Sequence, residues 1–121
     1  MDRFLNILTY AIGLLFVFNG LMWLTSPADI ASTLGMPLLT GHGLSTQIGD
    51  LASFFLVVGI FSLLGAYTKK TYWLYPPAAL VGFAALSRII AYLAHGAALS
   101  TDKIIVEVVV MSILLFVAKR S

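Results

Sequence analysis

Asp50, Arg88 and Glu107 each stand inside an otherwise apolar stretch, and they are the side chains best equipped to do chemistry in an apolar solvent. A guanidinium between two carboxylates can hold an anionic or carbonyl group, pass a proton, or simply clasp helices together. An isolated ion in hydrocarbon is costly, so ionisable residues in spans face the bundle interior and pair. Asn19 offers an amide for the same network. From Arg88, steps of four and seven residues reach Tyr92 and His95 on one helical face. His42 and His95 with a carboxylate would make a mixed imidazole and carboxylate donor set. Their spacing matches no metal motif, so no metal site is predicted.

These residues belong to a chain of 121 residues, 60% hydrophobic and only 10% charged, with a mean hydropathy of +1.01. A domain this small has too little interior to hide so many apolar side chains from water, so lipid is their solvent. Without cysteine the chain has no disulfide, thiolate metal site or cysteine nucleophile. The net charge of +2 is too small and too dispersed for a nucleic-acid surface.

The pattern predicts an all-α fold, a four-transmembrane-helix bundle in a single domain over 1–121, with spans at about 4–24, 48–67, 72–95 and 103–118. A cleaved signal peptide is the competing reading of the first run, but the run is longer than an h-region and lacks a small-x-small cleavage site. Ser26-Pro27-Ala28-Asp29 reads as a helix start, with Ser26 as cap, and Gly35 and Pro37 as a stop. A short interfacial helix over about 27–34 in the first outer loop follows. Leu38 to Gln47 reads as a polar loop bearing His42, with Ser45 or Thr46 capping the second span. Pro76-Pro77 opens or kinks the third span, and Gly96 stops it. Ser100-Thr101-Asp102 starts the fourth.

Alternating spans put Arg3, Lys69, Lys70, Lys119 and Arg120 on one side and only Lys103 on the other, so both termini are expected in the cytoplasm. Tyr72, Trp73 and Tyr75 then mark the inner interface, and Trp23 and Tyr92 the outer one. Arg88 lies about 24 Å above the inner edge and Asn19 about 22 Å, while Asp50 sits a few Å and Glu107 about 5–10 Å below the outer edge. All four spans thus bring a polar group to one outer layer, above a floor of Phe54, Phe55, Phe61, Phe83 and Leu64. The expected network has Arg88 bridging Asp50 and Glu107, with Asn19 as a further partner.

Such a layer can do no more than fix helix register, because lipid tails give apolar helices little reason to associate. It can equally hold a polar-headed, apolar-tailed ligand, or couple ion transfer, although the dry floor weakens the last. No nucleophile elbow, phosphate loop, His-Glu-x-x-His or dinucleotide fingerprint is present, so no catalytic residue is predicted. Small residues at Gly13, Gly20, Gly59, Gly65 and Ala78 through Ala85 allow close helix approach or a homo-oligomer surface.

Ser26-Pro27-Ala28, Leu34-Gly35-Met36-Pro37, Gly49-Asp50, Ser87-Arg88, His95-Gly96 and Val106-Glu107 together resemble the DoxX-like group of small bacterial membrane proteins, in particular relatives catalogued as domains of unknown function. The likeness covers nearly the whole chain. It implies a four-helix bundle in the bacterial inner membrane, with Asp50, Arg88 and Glu107 as the shared polar positions, and carries no catalytic motif. The leading expectation is an accessory or scaffold subunit, or a binder of a lipid-like molecule at the outer layer, with membrane lipids and membrane-protein complexes as partners and no cofactor of its own. A quinone-linked oxidoreductase component is the first alternative, and a small ion-coupled transporter the second.

Overall fold

The computed structural model describes residues 3–120; Met1, Asp2 and Ser121 lie outside the described residues. All regular structure among the described residues is helical, without strands. The chain runs α1 (Arg3–Thr25), short α2 (Pro27–Thr33), α3 (Gly41–Thr68), a 3-10 turn (Thr71–Leu74) passing directly into α4 (Tyr75–His95), and α5 (Thr101–Arg120). Three segments, Arg3–Thr25, Gly41–Thr68 and Thr71–His95, are long and apolar enough to cross a membrane. The 23 residues of α1 rise about 34 Å, more than a hydrocarbon core of ~30 Å requires.

The most extensive interface joins α1 to α3, and glycine makes it close. A Cβ at Gly59 would lie 2.6 Å from the Val17 amide nitrogen and 2.8 Å from the Gly13 carbonyl oxygen, so the backbones touch where any side chain would part them. Gly20 abuts Leu56 and Gly13 abuts Leu63, a register that makes the pair antiparallel. Without a hydrophobic drive between helices in lipid, such dispersion contact is what holds them. α4 packs on α5, also antiparallel, with Gly82 against Met111 and Arg88 against Glu107. Val58, Leu74, Val81, Leu114 and Val117 fill the centre with no exposure. Outward, Leu14 and Phe18 of α1, Phe83 and Leu93 of α4, and Val109 and Phe116 of α5 are exposed. An apolar surface of that extent fits a membrane.

Several local expectations are corrected. α3 begins at Gly41, so His42, Ser45 and Thr46 are helical rather than part of a loop, and Ser45 and Thr46 cap nothing. Polarity there marks a turn of helix standing clear of the apolar stretch, and polarity alone does not separate such a turn from a loop. Gln47 allows the short connection. Buried at the turn, its Oε1 accepts from the Leu39 amide at 3.0 Å and its Nε2 donates to the Pro37 carbonyl at 3.1 Å. Ser26 makes no side-chain capping bond, so the start of α2 rests on Pro27, whose fixed φ suits the first turn. Gly35 does end that helix, at φ +74°.

Pro76 and Pro77 stand in the first turn of α4, and Gly96 caps it in the left-handed region, with the Ala97 amide donating to the Ala91 carbonyl at 3.2 Å. The turn between α3 and α4 places Lys69, not a glycine, at φ +59°. Trp23 does not belong to an outer aromatic belt. It is fully buried, with Ile30 and Ala31 of α2 and Ala52 of α3. Phe83 does not belong to the floor, being 66% exposed. Phe61 packs edge-on against Trp73 at the opposite end from Trp23.

Candidate functional site

Arg88 lies on the inward side of α4, and Glu107 opposite it, two turns into α5. The Arg88 Nε donates to Glu107 Oε1 at 2.9 Å. The Glu107 side chain is 9% exposed and that of Arg88 35%, so the carboxylate is the buried member and the guanidinium reaches outward from it. The bond uses Nε alone. Both terminal guanidinium nitrogens therefore remain without a hydrogen bond within the described chain.

Arg88 lines a half-open cavity of about 640 Å³ bordered by α1, the end of α2, α3, α4 and α5. Its walls are mainly Leu15, Phe16, Leu51, Phe54 and Phe55, with Leu34 and Met36 contributed by the chain leaving α2. The polar part of the wall comprises Asn19, Thr33, Arg88, Asp102, Lys103 and Glu107. A concave, mostly apolar chamber with a few converging polar groups is the usual form of a small-molecule site. Here the polar groups collect on the α4 and α5 side.

Arg88, Glu107 and Asn19 share the cavity, but Asn19 gives its amide hydrogen to the Leu15 carbonyl at 2.8 Å and does not bond Arg88. Asp50 does not join the network: it is exposed, pairs with no described residue and is absent from the cavity wall. It lies on the exposed side of α3, which shared depth alone could not reveal. Tyr92 and His95 continue along α4 but are exposed and outside the cavity. His42 is likewise exposed. No cluster of three metal-ligating side chains exists among the described residues.

Lys103 and Asp102 are the functional candidates that sequence reasoning missed. Lys103 precedes Glu107 by four residues, a spacing that puts both on one helix face, so the signal was present. Its Nζ donates to Asp102 Oδ2 at 3.2 Å, and that hydrogen bond holds the Asp102 carboxyl below the usual carboxylate range. No signal pointed to Thr33 at the end of α2, or to Leu34 and Met36 on either side of Gly35, as cavity residues. A second cavity of about 430 Å³ runs outside the α4 and α5 seam past Ala79, Gly82, Phe83 and Met111, with no ionisable group besides Tyr75. Compared with known protein families, curated proteins and solved structures, the chain matches none.

Proposed function

We propose that the chain is a four-span protein of the bacterial inner membrane, both termini cytoplasmic, that binds a lipid-like molecule in the cavity beside Arg88 and has no catalytic step of its own. The observation that carries this reading is the guanidinium. It is anchored through Nε on a buried carboxylate, its terminal donors have no partner in the described chain, and Arg88 lines a mostly apolar cavity. A clasp between helices would gain most by engaging those donors, because paired N–H groups recognise a carboxylate in parallel.

A fourth span at α5 is supported by its outward surface, where Ile105, Val108, Val109 and Phe116 are exposed, while the ionisable group between Lys103 and Lys119 is the buried, paired Glu107. The inside orientation is supported by Arg3, Lys69, Lys70, Lys119 and Arg120, which the antiparallel succession of helices brings to one end. Within the membrane the protein acts as an accessory component that presents its ligand to a complex, in keeping with the DoxX-like resemblance.

Native mass spectrometry from lipid nanodiscs tests the reading. Wild type is expected to carry a bound amphiphile that Arg88→Leu/Glu107→Leu releases without loss of the helical fold. A wild-type protein that emerges bare would sink it. A quinone spectrum in the released material would replace it with the redox alternative.

A further inference from the structure

Four charged side chains share the cavity wall: Arg88, Lys103, Asp102 and Glu107. Their formal charges cancel at neutral pH. Their free capacity, however, is uneven. Glu107 is spent on Arg88, whereas the guanidinium keeps its terminal nitrogens. Asp102 accepts from Lys103 through Oδ2, and its side chain stays 78% exposed. The wall thus offers unpartnered donors on Arg88 and an exposed anionic acceptor on Asp102. They are set apart by the stretch of α5 from Asp102 to Glu107, about 7.5 Å along the axis.

A ligand bringing only negative charge would satisfy Arg88 but leave the layer with one net negative charge and gain nothing from Asp102. A neutral head would leave Asp102 unused. A head carrying both signs uses both groups and keeps the layer neutral. The ammonium must also have hydrogens to give, because the Asp102 oxygen accepts a hydrogen bond as well as a charge.

We infer that, within the ligand-binding reading above, the cavity selects a membrane lipid with a phosphate and primary-ammonium head. The phosphate accepts from the terminal nitrogens of Arg88, the ammonium donates to Asp102, and the start of the chains lies against Leu15, Phe54 and Phe55. Nanodiscs holding equal amounts of chain-matched phosphatidylethanolamine, phosphatidylcholine and phosphatidylglycerol supply the test, with retained lipid counted by native mass spectrometry.

Phosphatidylethanolamine is expected to exceed each of the others by about fivefold, the scale of one partly solvated ion pair. Asp102→Asn, at an exposed position, is expected to remove the preference of phosphatidylethanolamine over phosphatidylcholine and, by leaving the layer with one net positive charge, to raise phosphatidylglycerol relative to both. Preferential retention of phosphatidylglycerol by wild type, or an ethanolamine preference that survives Asp102→Asn, would overturn the head assignment and leave amphiphile binding standing. Lipid retention no greater than that of Arg88→Leu/Glu107→Leu would overturn both. Glycerophosphoethanolamine, the same head without chains, is expected not to compete; displacement of the lipid at equal concentration would refute the role given to the apolar wall.

Discussion

Arg88 and Glu107 differ in what each does for the other. Glu107 is the group that cannot be left alone, because its side chain is almost wholly removed from solvent, whereas Arg88 retains a route outward. Arg88→Ala strands a buried carboxylate and is expected to cost about 2–3 kcal/mol, below the usual 3–5 for a fully buried pair because the arginine is partly solvated. Replacing both residues by leucine removes the stranded charge and is expected to recover most of that loss. Thermal melts in detergent compare the two, and a double variant no more stable than the single one contradicts the pairing. At this scale the sequence revealed which residues carry charge at a shared depth, but not which way each faces. Depth follows from counting residues along a helix, and it grouped Asp50 with Arg88. Facing depends on the rotation of α3 about its own axis, which its close packing on α1 sets, and nothing near Asp50 reports that rotation.

Among elements, α1 and α3 form the most extensive and closely packed pair. Gly59→Ala sets a methyl group against the backbone of Val17 and Gly13. It is expected to cost about 1–3 kcal/mol, the usual penalty of overpacking. Gly49 lies on the same helix with no atom of another group near its Cβ position, and Gly49→Ala is expected to be neutral or to stabilise by up to about 1 kcal/mol through helix propensity. Equal melting shifts for the two variants would show that the close approach is not what holds the pair. The sequence marked the small residues and most helix ends: the stops at Gly35 and Gly96, the starts at Pro27 and Thr101. It lost the first turns of α3, because a polar helical turn and a polar loop have the same composition. It also lost the inward position of Trp23, since aromatic belts are inferred from depth and Trp23 is covered by α2.

For the whole molecule, charge and topology make one joint claim. Single cysteines placed in the turn at Lys70 and in the connection at Ala98 are expected to react with membrane-impermeant thiol reagents from opposite sides, the first only after the membrane is opened. Reaction of both from the same side would remove either a span or the alternation of helices. The all-helical architecture was legible from hydropathy alone, because backbone in lipid must satisfy its own hydrogen bonds and helices do so locally. The cavity was not legible, because it is the space left where five segments fail to meet, the end of α2 among them.

Lys69 shows where two demands on this chain compete. At φ +59° the residue pays a backbone cost that glycine would avoid, about 1–2 kcal/mol at a helix end where glycine is common. In the proposed orientation the same residue is one of the cations that retain the short turn on the cytoplasmic side while the chain is being inserted. Glycine there would strengthen the finished helix end and weaken the instruction that decides which way the hairpin enters the bilayer. Equilibrium stability and correct biogenesis therefore pull position 69 in opposite directions, and lysine favours the second.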